Sequence, residues 1–376
     1  MDLNTDQIKA INGALSNEFI FSITGAAGTG KSTVISEICT KLTDKGIRTS
    51  VLSPTGRAAD LLRKKIGHGM TIHKFLEYFS QDYGNSYKPR FNYHNQLCDT
   101  DYIIIDEASM VDREVWDNLL KACPDHIKIC LVGDPNQLAP IEKTPQRSAF
   151  KLALEHYPKV ELKIRYRFGK QAELSQLSDD VLEGHPSVVE KCKMLYRLDG
   201  VTDEYQFNKL CKTEKYWELD SQIICPTYKG KGGCDYINSM CQAHRFPNTE
   251  PNEYGIYSGD KVICTMNTPW FYNGNIFFFE GCDEESIYFD RLTCPRYWKI
   301  QNNNLDLMLY VKPAYCITTH KSQGGEYQNV VYIISKSSIF TLDRSNIYTG
   351  VTRSKENLVV LYDKYTLQKG LSNVSI

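Results

Sequence analysis

The chain has 376 residues, of which 41% are hydrophobic and 24% charged, and its formal net charge is −1. This length exceeds one ordinary hydrophobic core, so we expect two domains and no uniformly basic surface. No apolar run approaches the ~20 residues of a membrane span and the N-terminus lacks a signal peptide's apolar stretch, so we expect a cytoplasmic protein without a membrane partner.

The first third of the chain alternates between short apolar runs and segments with helical spacing of apolar residues. This pattern predicts strands at 19–24, 49–53, 102–106 and 127–133, with helices at 31–42 and 58–66. Alternating strands and helices are typical of an α/β fold, in which crossover helices connect the strands of a parallel sheet.

Two stretches interrupt this alternation. Residues 77–100 are polar and aromatic, with turn signals at Gly84–Asn85 and Pro89, and predict a hairpin insertion. Further strands are predicted at 221–226, 330–334 and 358–362. Residues 254–312 between them are β-rich, and the Asn273–Gly274 pair is a hairpin signal. We therefore predict two α/β domains, 1–158 and 159–376, the second with a small inserted β-barrel.

The strongest motif begins at Gly25 and reads GAAGTGKS, between a predicted strand and a predicted helix. It fits the phosphate-binding pattern G-x-x-x-x-G-K-[ST], in which backbone N–H groups and the helix N-terminus surround phosphate oxygens. We expect Lys31 to reach the β- and γ-phosphates of ATP and Ser32 to bind Mg²⁺. The predicted nucleotide-binding residues of this segment are Gly25, Gly28, Gly30, Lys31, Ser32 and Thr33.

Asp106 and Glu107 follow the predicted strand 102–106 and complete this site. A strand that ends in carboxylates places them at the carboxyl edge of the sheet, beside the phosphate loop. We expect Asp106 to hold Mg²⁺ and Glu107 to orient and deprotonate the attacking water. The alternative for either acid is a helix cap.

The cysteine pattern does not indicate a metal site. The chain has 13 cysteines without a C-x-x-C pair. Cys241 and His244 form a lone C-x-x-H, which favours ordinary reduced thiols over a zinc site.

The order of the remaining segments resembles superfamily 1 helicases of the RecD and Dda type, which move 5′ to 3′. The resemblance runs from about residue 3 to residue 362. It implies two RecA-like domains, a strand-separating pin at 77–100, and an SH3-like accessory barrel. It also implies an ATP-dependent DNA helicase that acts on single-stranded DNA and duplex junctions, which we expect to work as a monomer of phage, plasmid or bacterial origin.

The resemblance assigns further residues to the nucleotide. Gln7 would read adenine, and Gln137, in LVGDPNQL, would contact the γ-phosphate. Arg167 would bind the γ-phosphate from the second domain, and Arg353 would be an arginine finger. The alternatives are a solvated helix residue for Gln7, a plain turn for residues 133–136, and surface ion pairs for the two arginines.

Other matching segments carry the expected nucleic-acid contacts. The segment SPTGR follows a strand and opens a helix, which would let its backbone amides hold a DNA phosphate. In TTHKSQGGE, Gly324 and Glu326 would lie nearer the nucleotide, although relatives often have serine at the position of Gly325. The expected nucleic-acid residues are Pro54, Thr55, Arg57, Thr71, His73, Thr227, Thr319, His320 and Lys321. Lys229 and Lys231 are as well explained by an ordinary basic loop.

Contacts to phosphates carry no base code, so we expect little sequence preference and steep salt dependence. Aromatic residues in 77–100 would stack on bases or pack against the domain surface. Three other functions remain open: an RNA helicase, a translocase that unwinds poorly, and a non-catalytic binding module. The candidate stacking residues are Phe79, Tyr83, Tyr87, Phe91 and Tyr93.

Overall fold

A computed structural model describes residues 3–76, 78–79, 88–89, 99–140, 148–166, 170–185, 195–200, 203–300 and 303–374. The chain divides into two compact units, the first ending at Arg167 and the second beginning at Phe168. Each unit has its own sheets and its own apolar core, and the two are described separately below.

The first unit alternates strands and helices, as the sequence predicts. Its strands are β1 (Ile20–Gly25), β2 (Thr49–Ser53), β3 (Met70–Thr71), β4 (Tyr78–Phe79), β5 (Lys88–Pro89), β6 (Tyr102–Ile105), β7 (Lys128–Gly133) and β8 (Lys159–Leu162). Its helices are α1 (Thr5–Ala14), α2 (Lys31–Asp44), α3 (Gly56–Ile66), α4 (Ile72–Phe75), α5 (Arg113–Ala122) and α6 (Ala149–His156).

Six of these strands form one sheet in the order β3-β2-β6-β7-β1-β8, and every pair in it is parallel. β1 and β6 are buried throughout because helices cover both faces, which explains their continuous apolar sequences. In register, Thr24 lies beside Gly133 and Ile105 beside Leu131. The carboxyl ends of β1, β6 and β7 therefore meet at one edge of the sheet.

The predicted domain boundary at residue 158 is wrong. β8 pairs in parallel with β1, with Ile23 beside Val160, so residues 159–162 belong to the first sheet. The first unit continues to Arg167. The short, half-exposed segment of β8 carries a weak strand signal, and only its pairing with β1 identifies its unit.

The second unit contains more strands and a longer insertion. Its strands are β9 (Leu195–Leu198), β10 (Ser221–Cys225), β11 (Lys261–Cys264), β12 (Ile276–Cys282), β13 (Ser286–Phe289), β14 (Leu292–Pro295), β15 (Tyr297–Ile300), β16 (Asn303–Asp306), β17 (Val311–Pro313), β18 (Cys316–Thr318), β19 (Tyr327–Ile334) and β20 (Ser354–Asp363). Its helices are α7 (Lys170–Glu183), α8 (Asp203–Cys211), α9 (Cys234–Arg245), α10 (Thr319–Ser322), α11 (Arg344–Val351) and α12 (Lys364–Ser372).

Five strands of the second unit form another fully parallel sheet, in the order β18-β10-β19-β20-β9. The β-rich insertion leaves this sheet after β10 and returns at β18. The two units thus have the same layered α/β construction, which confirms the predicted fold class.

The insertion is an antiparallel sheet in the order β14-β13-β12-β11-β17, accompanied by the β15–β16 hairpin. Its own apolar core includes Phe271, Phe279 and Phe289. β11 and β12 pair as predicted, and Gly274 occupies the left-handed region with φ of 93°. The insertion is therefore β-rich as expected, and its identification as an SH3-like barrel stays a prediction.

In the predicted hairpin of residues 77–100, β4 and β5 pair antiparallel, with Tyr78 beside Pro89. Residues 77, 80–87 and 90–98 of this segment, and the side chains of its five candidate aromatics, lie outside the described residues. The strand-separating role of the segment stays a prediction. Among the helices that the structure describes, none is long and apolar enough to cross a membrane.

Candidate active site

The phosphate loop connects β1 to α2 through a tight turn of the backbone. Gly28 and Gly30 both have φ of 83°, a conformation that side chains with a Cβ rarely adopt. The Lys31 ammonium donates hydrogen bonds to the carbonyl oxygens of Gly25 (2.7 Å) and Ala26 (3.1 Å). Its position over the loop is the one from which a lysine can reach phosphate oxygens.

Gln7 is buried beside this loop and is not a solvated helix residue. It is 3% exposed, and its Nε2 donates to the Thr29 carbonyl at 3.4 Å. Its Oε1 accepts from the backbone N–H of Asn4 at 3.1 Å, while the Asn4 side chain accepts from the Gln7 N–H. This reciprocal capping box fixes the start of α1 and the glutamine amide together.

Tyr166 joins the same cluster, although its role was not predicted. Its backbone N–H donates to the Gly28 carbonyl at 2.9 Å, and its hydroxyl accepts from Asn4 Nδ2 at 2.7 Å. The ring remains 43% exposed. A Cβ added at Gly30 would lie 2.5 Å from Gln7 Nε2 and 3.9 Å from the Tyr166 ring, so both side chains border the loop.

Asp106 and Glu107 stand at the carboxyl end of β6, at the same sheet edge as the loop. Asp106 Oδ1 accepts from the backbone N–H of Glu107 at 2.9 Å. Glu107 has φ of 54°, a left-handed conformation rare for a residue with a side chain. Its carboxylate makes no capping bond to the 3₁₀ turn Ala108–Met110, and its buried Oε2 has no partner among the described residues. The helix-cap alternative for Glu107 is therefore wrong.

Burial and the neighbouring Glu107 carboxylate raise the pKa of Asp106 to about 7, although the Lys31 ammonium opposes the shift. Two carboxylates close together in a partly desolvated site favour one proton between them. A cation at this point would replace that proton. Together with the Ser32 hydroxyl, Asp106 offers the hard oxygen ligands that Mg²⁺ prefers.

Gln137 follows β7 at the same edge. Asp134 is fully buried and accepts from the Asn136 N–H at 3.1 Å, so a turn forms at residues 134–137, one residue beyond the predicted 133–136. That turn carries the Gln137 side chain into the interior, where it is 5% exposed. Its Oε1 has no partner within the described part of the chain. Its amide is thus an uncommitted polar group beside the strand ends.

In the second unit Arg353 is 3% exposed, so the surface ion-pair alternative is wrong. Its guanidinium donates to the carbonyl oxygens of Thr349 (3.0 Å) and Gly325 (3.1 Å) and to the Thr352 hydroxyl (3.2 Å). Gly325 therefore contacts Arg353 through its backbone carbonyl, and this contact needs no side chain at position 325. Arg167, the other predicted arginine, lies outside the described residues.

Gly324 and Glu326 lie next to this arginine. Gly324 is buried with φ of 69°, a backbone conformation that favours glycine. Glu326 is exposed and forms an ion pair with Lys355 at 3.6 Å. Neither the conformation of Gly324 nor the ion pair of Glu326 tests their nucleotide-binding role, which stays a prediction.

In the first unit, the expected DNA-binding segments begin where two adjacent strands end. Ser53 lies beside Thr71 in register, which brings 54–57 next to 71–73. Thr55 caps α3 by accepting from the Ala58 N–H at 3.2 Å. Thr71 is buried and caps α4 in the same way. The Thr71 hydroxyl faces the protein, so the nucleic-acid contact of Thr71, which stays a prediction, would have to use its backbone.

The second unit brings Thr227, Tyr228 and Lys321 together. The Thr227 hydroxyl lies 3.4 Å from Ser337 Oγ, and the Lys321 ammonium lies 5.5 Å from the Tyr228 ring centroid. Tyr228 is 47% exposed, so its ring and the lysine form one cationic, aromatic surface. Tyr228 is not among the predicted contacts, because one tyrosine in a basic loop has no distinctive pattern.

Thr319 corrects another prediction. It is fully buried, and its hydroxyl donates to the Cys225 carbonyl at 3.4 Å, so its side chain offers nothing to a phosphate. Thr318 is the cap of α10. Burial lowers the pKa of both His73 and His320, which leaves these imidazoles neutral at pH 7. They can donate a hydrogen bond to a phosphate but contribute no charge.

Two parallel α/β units, the first with a phosphate loop and paired carboxylates at one sheet edge, define a phosphate-loop nucleoside triphosphatase. Residues 2–203 match the AAA domain family, and residues 313–361 match the UvrD-like helicase C-terminal domain. The chain therefore belongs to the AAA domain family, and it is a superfamily 1 helicase of the RecD type.

Individual relatives agree with this placement. The chain is 25% identical to the RecBCD enzyme subunit RecD of Buchnera aphidicola, over 93% of this chain and 71% of that protein. It is 26% identical to the ATP-dependent RecD2 DNA helicase of Deinococcus radiodurans, over 89% of this chain but 46% of that protein. A Pif1 helicase from Bacteroides, solved with ADP-AlF3 and single-stranded DNA, has the same fold with a TM-score of 0.61 at 19% identity, covering 96% and 92% of the two chains.

Proposed function

We propose that this protein hydrolyses ATP to move 5′ to 3′ along single-stranded DNA and to unwind duplex DNA. One observation carries the proposal. The phosphate loop, the Asp106–Glu107 pair and Gln137 meet at one sheet edge, in a chain that belongs to the AAA domain family and also matches the UvrD-like helicase C-terminal domain. This arrangement supplies the parts of phosphoryl transfer, namely a phosphate cradle, a metal ligand and a group that positions water.

In the proposed mechanism, the Lys31 ammonium moves from the loop carbonyls to the β- and γ-phosphates. Ser32 and Asp106 would hold Mg²⁺, and the bound ion would supply positive charge next to the phosphate oxygens. Glu107 orients the attacking water and takes its proton, since its Oε2 has no hydrogen-bond partner among the described residues. Gln137 would sense the γ-phosphate through its free amide oxygen.

The adenine base would lie between Gln7 and Tyr166. The glutamine amide can both donate to and accept from the Watson–Crick and Hoogsteen edges of adenine, and the exposed tyrosine ring offers a stacking surface. Arg353, and Arg167 from its motif, are proposed to stabilise the γ-phosphate during transfer. For this, the Arg353 guanidinium would have to leave the carbonyl groups of its own unit.

DNA would run across the segments that begin at 54 and 71 in the first unit and across Thr227, Tyr228 and Lys321 in the second. Backbone amides, Lys321 and the neutral histidines would bind phosphates, while Tyr228 would stack on a base. We propose that the protein works as a monomer. Because phosphate contacts do not exclude RNA, the preference for DNA has to be measured.

Two measurements test the proposal. Single-stranded DNA should stimulate ATP hydrolysis by tenfold or more, and RNA of the same sequence should stimulate it much less. Duplexes with a 5′ single-stranded tail should be unwound, whereas those with only a 3′ tail should remain intact. Unwinding from the 3′ tail alone would overturn the polarity, and ATP hydrolysis that ignores nucleic acid would overturn the motor function.

A further inference from the structure

Three cysteines from distant parts of the second unit converge in its core. Cys225 ends β10, Cys234 begins α9, and Cys316 begins β18. Their sulfurs lie 3.3 Å (225–234), 3.5 Å (225–316) and 3.9 Å (234–316) apart. All three side chains are at most 2% exposed.

This triangle has the dimensions of a metal-thiolate site. In the plane of the three sulfurs, the point equidistant from them lies about 2.1 Å from each. This distance is slightly shorter than the ~2.3 Å of a zinc–sulfur bond. An ion bonded to all three would sit about 1 Å out of their plane, as the apex of a tetrahedron does. The Thr227 carbonyl oxygen lies 3.1 Å from Cys225 Sγ, so it is a polar atom at the edge of the cluster.

We propose that Cys225, Cys234 and Cys316 bind one thiophilic cation of the Zn²⁺ class. Soft thiolate ligands select such cations over Mg²⁺, so this site would not compete for the metal of the ATP site. Binding converts three thiols to thiolates and releases three protons, and the divalent ion balances most of the buried negative charge.

Among the described residues, no fourth histidine, cysteine or carboxylate completes the set, so a backbone carbonyl or a water must do so.

A bound ion would join two adjacent parallel strands to the helix that follows the 226–233 loop. That loop carries Thr227 and Tyr228, so the ion would hold a proposed DNA contact in place. The inference does not depend on the proposed function, because the metal can be detected without ATP or DNA.

The test uses the full chain, reduced and freed of metal, with Zn²⁺ and Co²⁺ as probes. Wild-type protein should bind one Zn²⁺ in competition with a chromophoric chelator. It should also show the near-ultraviolet charge-transfer absorption of cobalt bound to three thiolates. Zn²⁺ should raise the Tm of wild-type protein by about 5 °C.

Cys225→Ala should weaken Zn²⁺ binding about 100-fold and remove most of the cobalt absorption. Cys211→Ala is the matched control, because Cys211 is buried in the same core but lies outside the cluster. The cobalt spectrum of each folded variant separates loss of ligands from loss of stability. Equal Zn²⁺ affinity in wild-type and Cys225→Ala proteins, or a cobalt complex without thiolate absorption, would overturn the proposal.

Discussion

At the scale of single residues, the described part of the first unit has five buried side-chain oxygen atoms without a hydrogen-bond partner, and two of them belong to Glu107 and Gln137. A buried polar atom left unpaired costs roughly 1–3 kcal/mol. Glu107 also has a left-handed backbone, which adds strain. Such costs are tolerated where the groups are needed for a ligand, so these residues support the proposed catalytic edge.

The first prediction concerns Lys31. We expect Lys31→Ala to lower ATP turnover by ~100-fold or more, because the variant loses the charge that stabilises the transferring phosphoryl group. Folding should be retained, since Lys31 bonds only to two loop carbonyls. Steady-state hydrolysis measures the effect. Lys41→Ala, an exposed position on the same helix, is the control and should behave as wild type.

The second prediction follows from the raised pKa of Asp106, which burial and Glu107 bring to about 7. A carboxyl whose pKa is raised by folding stabilises the protein while protonated. That stability is lost as the pH rises through about 7. Without Mg²⁺, Asp106→Asn should therefore raise the Tm more at pH 8 than at pH 5. Thermal melts in a chelator measure this, and an equal shift at both pH values would contradict the pKa assignment.

The third prediction separates stacking from hydrogen bonding at Tyr166. Removing the ring in Tyr166→Ala should raise the KM for ATP about tenfold, as expected for a stack of ~1–3 kcal/mol. Tyr166→Phe keeps the ring and should stay within about threefold of wild type. Tyr157→Ala, at another half-exposed tyrosine of the same unit, is the control. If all three variants share the wild-type KM, Tyr166 does not contact the base.

At the scale of elements, threonines in the expected DNA-binding segments cap the helices that begin there, which commits their hydroxyls to the protein. Thr55, Thr71 and Thr318 each cap the helix that follows a strand. A capping hydroxyl turns toward the helix and satisfies a backbone N–H, so it is withdrawn from solvent. What the cap leaves accessible to a phosphate is the backbone at the start of the helix.

The fourth prediction separates two roles of Thr55, namely the side-chain cap of α3 and the contact between the start of this helix and a DNA phosphate. Thr55→Ala should lose the cap and destabilise the protein by about 1 kcal/mol. Thr55→Asp should preserve the cap and the stability, but its charge should repel a DNA phosphate and weaken single-strand binding about tenfold. Denaturant melts and fluorescence anisotropy measure the two effects. Wild-type DNA affinity in Thr55→Asp would exclude this helix start from the DNA path.

At the scale of the whole molecule, the net charge of −1 has to be reconciled with nucleic-acid binding. A local cationic surface such as that of Tyr228 and Lys321 is compatible with a net charge near zero. The salt dependence of binding is set by the charges that contact the nucleic acid and not by the net charge of the protein. The absence of base-reading groups among the predicted contacts agrees with movement along any sequence.

The fifth prediction measures that local charge. Affinity for single-stranded DNA should fall steeply with salt, and Lys321→Ala should reduce the log–log slope by about 0.7, the value for one phosphate contact. Lys369→Ala removes an exposed lysine on α12, outside the segments expected at DNA, and should leave the slope unchanged. An unaltered slope in Lys321→Ala would remove this lysine from the DNA path.

The sequence by itself determined the parallel α/β class, the phosphate loop and the paired carboxylates. These signals are local: a strand, a glycine-rich turn and a helix start lie within one short stretch, and backbone sterics allow few ways to connect them. Family resemblance supplied the helicase assignment. The sequence had already identified Gln7 and Glu107 as candidate site residues, and the structure only decided between the interpretations that were open for each.

Tertiary structure alone decided the rest, because each remaining feature depends on contacts between residues far apart in the chain. β8 joined the first unit through its pairing with β1. Tyr166 reached the loop through Asn4 and Gly28, and Thr319 turned inward toward Cys225. Cys225, Cys234 and Cys316 have no recognisable spacing, yet adjacent strands and the following helix bring their sulfurs within 3.9 Å of one another.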